Sequence, residues 1–112
     1  MKIAIPIANG KLALHFGHAS QFALIDADPQ DGRIRERRDI DAPPHQPGML
    51  PPWLASHGAE TIIAGGMGQR ARGLFEQNGI RVVTGAPSSA PEQLAREFLS
   101  GELRSGANPC DH

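Results

Sequence analysis

The chain has 112 residues, the size of one compact domain with a single hydrophobic core, and two cores would need more. Eleven Lys and Arg against twelve Asp and Glu leave a net charge of −1, which provides no general field for holding a polyanion, so nucleic acid is not an expected partner. No apolar run approaches the roughly 20 residues that cross a bilayer, and Met1-Lys2-Ile3 passes directly into a strand-like run without signal-peptide organisation, so the expected setting is the cytoplasm, with no membrane partner.

Met1 to Ala8 is rich in β-branched residues and ends at Asn9-Gly10, a pair suited to positive φ, which reads as a first strand and a turn. Pro6 removes one backbone donor there, so the strand is expected to be bulged, or unpaired on one side, at that point. Leu14-His15-Phe16-Gly17-His18-Ala19 then forms a short connection carrying two imidazoles around a glycine. Gln21 to Ala27 is a second strand, closed by the turn residues Asp28-Pro29-Gln30-Asp31-Gly32. Arg33 to Ile40 alternates, with Ile34 and Ile40 on one side and Arg33, Arg35, Arg37 and Asp39 on the other. This is the pattern of a half-exposed edge strand whose arginines form a solvated face and discourage pairing with another chain.

Asp41 to Pro52 carries five prolines and no period, so it is a long, stiffened loop, with His45 inside it. Pro51 and Pro52 open a short helix through Trp53, Leu54 and Ala55 that stops at Gly58. His45 and His57 read as structural or surface residues. Glu60 to Ala64 is an apolar strand without alternation, as expected for a strand covered on both faces. Gly65-Gly66-Met67-Gly68 leads from it into a helix with Ala71, Leu74 and Phe75 on one face and Gly79 as its stop. Ile80 to Val83 is a further apolar strand. Ser89-Ala90-Pro91-Glu92 has capping-box spacing and opens a last helix, with Leu94, Ala95, Phe98 and Leu99 inward and Gly101 at its end. The order predicts one α/β domain over residues 1–103 and a mobile tail over 104–112. Right-handed crossovers give a five-stranded mixed sheet in the order 3-2-1-4-5, strand 2 antiparallel, with helices on both faces.

In such a sheet, ligands bind outside the carboxyl ends of the parallel strands. The loops Asn9 to Ala19, Gly65 to Gln69 and Thr84 to Ser89 meet at that edge. The first brings His15 and His18, and neutral imidazole is the commonest protein ligand for transition metals. The second brings backbone N–H groups at a helix N-terminus, suited to an anion. Gly65, Gly66, Met67 and Gly68 are therefore candidate cofactor contacts, although Met67 also suits packing, and the glycines suit a tight turn and lack the signature of a P-loop. A metal–sulfide cluster or a phosphorylated small molecule fits such a pocket. The lone Cys110 cannot form an internal disulfide, and with His112 it offers a thiolate and an imidazole that need further donors to complete a site. Asp26 and Asp28 could belong to a Mg²⁺-dependent hydrolase, but turn chemistry explains them more simply.

The motifs Lys2-Ile3-Ala4-Ile5-Pro6, His15-Phe16-Gly17-His18-Ala19 with Phe22, Gly48, Gly58-Ala59-Glu60, Gly65-Gly66-Met67-Gly68, Gly79-Ile80-Arg81-Val82 and Cys110-Asp111-His112 occur here in order. In this the chain resembles the dinitrogenase iron-molybdenum cofactor biosynthesis family, which includes nitrogenase cofactor carriers and orange-protein-like members. The resemblance implies a ribonuclease H-like fold and a non-enzymatic role in carrying an iron–molybdenum, molybdenum–copper or related metal–sulfur cluster, with His15 as cluster ligand. On that reading His18, Cys110 and His112 assist as metal ligands, and the partner is a cofactor-assembly or acceptor metalloprotein. The molecule is expected as a monomer or weak homodimer. The alternative is a regulatory or interaction domain that binds a phosphorylated metabolite or a partner protein and holds no metal.

Overall fold

A computed structural model describes residues 1–13, 19–43, 48–101 and 103. Its elements are β1 (Lys2–Ala8), β2 (Lys11–Leu12), β3 (Gln21–Asp28), β4 (Arg33–Asp41), α1 (Leu50–Ser56), β5 (Thr61–Ile63), α2 (Gln69–Gln77), β6 (Arg81–Val83) and α3 (Pro91–Ser100). The sheet is mixed and six-stranded, in the order β4-β3-β1-β5-β6, with β2 paired to β1 off that path. β3 is antiparallel to both β1 and β4, while β5 runs parallel to β1 and β6 parallel to β5. The five longer strands thus follow the expected succession.

The sixth strand follows from the Asn-Gly turn. Asn9 at φ 55° and Gly10 at φ 79° form a two-residue hairpin connection of the kind whose twist suits paired strands, and it folds Lys11 and Leu12 back onto Ala8 and Ile7. Two residues are too few to show a period, which is why the sequence shows the turn and conceals the strand.

β1 is buried along most of its length because it serves two cores. Its odd residues, Ile3, Ile5 and Ile7, join Ile25, Leu94 and Ala95 on the α3 side. Ala4 joins Phe22, Leu54, Ile62 and Phe75 on the side covered by α1 and α2. Burying each aromatic ring in that second cluster contributes about 1.5–3 kcal/mol before ordering costs. β5 is buried at all three positions, consistent with its lack of alternation.

Pro6 lies at a seam. The carbonyls of Lys2 and Pro6 accept from Glu60 N (2.9 Å) and Ala13 N (2.9 Å), so the even residues of β1 turn their polar groups toward β5 and β2. The β1–β5 ladder ends at Ala4↔Ile62, whereas pairing with β3 continues through Pro6↔Phe22. Extending the parallel ladder would need an N–H at position 6, and proline has none. The strand is not bulged at Pro6, and its side away from β3 is only half paired: it drops out of the β5 ladder while its carbonyl accepts from Ala13 N.

Two local readings change. Ile34 packs on the α3 side and Ile40 on the α1/α2 side, so they do not share a face. The cause is a register shift: Asp26 pairs with Glu36 but Ala27 with Ile34, leaving Arg35 as an extra residue. One inserted residue reverses the phase of a period-2 pattern. The capping box is also not formed. The N-cap of α3 is Ala90, with Pro91 opening the helix and no side-chain cap, and Glu92 instead pairs with Arg37. That start leaves Glu92 one position short of where a box needs it.

Candidate functional site

The carboxyl ends of β1, β5 and β6 share one rim, and its loops are joined mainly by main-chain bonds. Ala64 N donates to Val83 O (2.8 Å), Gly85 N to Gly65 O (2.8 Å) and Ala86 N to Ala64 O (3.2 Å), so the bends after β5 and β6 are stitched together. Leu12 N donates to Ser89 O (3.2 Å), and the Ser88 hydroxyl donates to Leu12 O (2.9 Å), which brings in the connection after β1. That connection is held at both feet. Ala13 N donates to Pro6 O and Ser20 N to Ile7 O (3.1 Å), so adjacent carbonyls of β1 receive its two ends. The described parts of the three predicted loops therefore converge on one rim.

Within the bend after β5, Gly65 and Gly66 are buried and Gly68 is exposed. Gly68 caps α2 with extended backbone (φ −66°, ψ 155°) that any residue adopts, and a Cβ there would meet nothing within 4 Å. Neither conformation nor packing demands this glycine. Its bareness leaves the start of α2 without a capping side chain. The first-turn amides of a helix have no intrahelical acceptor and carry a partial positive charge. The first turn of α2 contains no acidic residue and includes Arg70 and Arg72. Both features add positive charge to the start of α2.

Met67 is 1% exposed and belongs to the apolar cluster with Phe75, Leu54 and Ile80. His15, His18, His45, Cys110 and His112 lie outside the described residues, as does the tail from 104 onward. Among the described residues no three His, Cys, Asp or Glu side chains come together to hold a metal. The segment carrying His15 and His18 is bounded on both sides by described rim residues, whereas Cys110 and His112 belong to the tail that follows α3.

Asp26 and Asp28 are occupied otherwise. Asp28 accepts from Gln30 N (2.9 Å) and from Arg35 (3.1 Å), and these two donors, the amide first, hold its carboxyl below the usual range. Asp26 lies 3.8 Å from the N-terminal ammonium. Arg35 also reaches Asp31 (2.7 Å), and Arg37 grips Asp39 through two nitrogens (2.8 and 3.0 Å) as well as Glu92. Arg37 is thereby drawn inward against α3 and is only 26% exposed, so the solvated arginine face applies to Arg33, Arg35 and Arg38 but not to it. His57 stands edge-on to Trp53 with ring centres 4.9 Å apart, a structural contact at the end of α1.

Ser20, Ser88 and Ser89 are the rim residues that sequence reasoning passed over. Ser89 drew attention only as a helix cap, and nothing local marks a serine that bonds a strand 76 residues away.

The family model for the dinitrogenase iron-molybdenum cofactor matches residues 1–101. The chain belongs to that family. Its relatives include the protein MJ0580 of Methanocaldococcus jannaschii, 32% identical over 108 residues that span 92% of this chain and 89% of that one. Among solved structures, PH0822 is 28% identical with a TM-score of 0.85, covering 94% of both chains. The apo orange protein from Desulfovibrio gigas is 24% identical with a TM-score of 0.72, covering 96% of this chain and 94% of that one, a likeness of fold. This dinitrogenase-cofactor family member therefore shares its fold with PH0822 and the orange protein, and the family match spans all three loops of the rim.

Proposed function

We propose that this protein is a non-catalytic carrier for a metal–sulfur cluster of the iron–molybdenum or molybdenum–copper type, acting in cofactor assembly or storage on a ribonuclease H-like scaffold. The observation that carries the reading is the family match over residues 1–101. The rim supports it: the cluster is anionic cargo, and the bare start of α2 with Arg70 and Arg72 offers the complementary sign. His15 provides the metal bond from a segment with both feet pinned at the rim, and amides of Gly65 to Gly68 offset the charge. His18, Cys110 and His112 assist. Cys110 follows Leu103 by seven residues, an extended reach of up to about 25 Å, while α3 is only about 15 Å long, so chain length lets the tail return to the rim. One or two metal bonds plus several weak N–H contacts would hold cargo and still release it to an acceptor metalloprotein.

The test is anaerobic reconstitution with molybdate, copper or iron together with sulfide. A charge-transfer absorption band is expected, weakened strongly in His15→Ala. Trp53, the sole tryptophan, packs on Phe22, which lies opposite Pro6 near the rim, so its fluorescence should fall as cargo binds. Identical spectra for wild type and His15→Ala would remove His15 from the mechanism, and no band with any metal would end the carrier reading.

A further inference from the structure

We propose that Ser88 is a positioning residue for the histidine-bearing segment, its hydroxyl locking the foot of that segment to the bend after β6. This deepens the carrier reading and rests on it for its functional meaning. Leu12 is 2% exposed, and in the register Ile7↔Leu12 its polar groups turn away from β1. They are met by two consecutive residues of the other loop: Ser89 O accepts from Leu12 N, and the Ser88 hydroxyl donates to Leu12 O. β2 has only two residues, so pairing with β1 holds it weakly. The grip from residues 88 and 89 supplies the second side. The next residue, Ala13, bonds Pro6, and residues 14–18 follow directly.

Ser88 is itself exposed, so removing its hydroxyl leaves the cores intact. A buried carbonyl that loses one bond has a stronger tendency to move toward water. The Ser88 bond therefore selects the position from which the histidine segment leaves the rim, and it links that position to the start of α3, two residues further on.

Hydrogen exchange of the metal-free full chain tests this without reference to cargo. In Ser88→Ala, the amides of Leu12, Ala13 and Ser20 should exchange about fivefold faster, while those of Ile62 and Leu94 stay unchanged. Ser88→Thr, which keeps the hydroxyl, should match wild type. Unchanged exchange at Leu12, Ala13 and Ser20 in Ser88→Ala overturns the proposal. So does acceleration that extends equally to β5 and α3, which would mean a general loss of stability. In the reconstitution assay Ser88→Ala should need several times more metal and sulfide to reach the wild-type band, and equal requirements would also overturn it. If wild type gives no band while the exchange difference holds, the carrier reading falls and the positioning role stands.

Discussion

The rim and the β4 edge of the sheet are built by different means. At the rim where β1, β5 and β6 finish, the loops are joined mostly by peptide N–H and carbonyl groups, with the Ser88 and Ser20 hydroxyls added. Toward the β3–β4 turn and along β4, the same task falls to ion pairs, Arg35 with Asp28 and Asp31, and Arg37 with Asp39 and Glu92. Main-chain bonds hold shape regardless of side-chain charge. A rim assembled that way keeps its own form while the charge placed on it changes, which suits a site for anionic cargo. Along the β4 edge, Asp28, Asp31, Asp39 and Glu92 are committed to Arg35 and Arg37.

Met67 gives the largest expected effect and separates scaffold from site within the first rim. If its role is packing, Met67→Ala costs about 2–5 kcal/mol in urea unfolding, and Met67→Leu costs under about 1.5 kcal/mol and reconstitutes like wild type. A stable Met67→Leu that fails to reconstitute would return the sulfur to the site. In the ion-pair cluster on β4, Glu92→Gln should cost about 0.2–1 kcal/mol, a difference that shrinks in high salt because both partners are partly exposed. Ser88→Ala should show no such salt dependence. A salt-independent loss in Glu92→Gln would blur the contrast between the rim and the β4 edge.

The smallest effect concerns pH. Asp28 has its folded pKa depressed below the ordinary 3.8, so the stability it contributes is present above that value and is lost as pH falls through the lower folded value. Asp28→Asn should flatten the acid side of the stability curve below pH 3.8 and change little near neutrality. An unchanged acid limb would mean that Gln30 and Arg35 do not favour the carboxylate.

The sequence was most legible where periodicity and chain handedness act together. Apolar runs at β5 and β6 and a helix between each parallel pair suffice for the strand succession, because crossovers have one hand. Gly58, Gly79 and Gly101 marked the helix ends, and all take positive φ. What could not be read depends on contacts between distant residues. Arg35 looks like one more alternating arginine, and only the pairing of Asp26 with Glu36 makes it surplus. Glu92 satisfies a local capping rule on paper, yet Arg37, remote in sequence, claims it. At the rim, the histidine motif was conspicuous as a candidate site, while the serines beneath it were not, since their partners are peptide groups that every residue possesses.

The single imino acid in β1 also settles where this sheet can open. With an ordinary residue at position 6, β5 could zip further along its neighbour and draw the glycine bend shut against the central strand. Because the sixth residue cannot donate, the two chains must part after Ile62, and the Lys11–Ala13 segment fills the edge beyond. The point at which β1 and β5 diverge is in this sense written into the backbone chemistry of one ring.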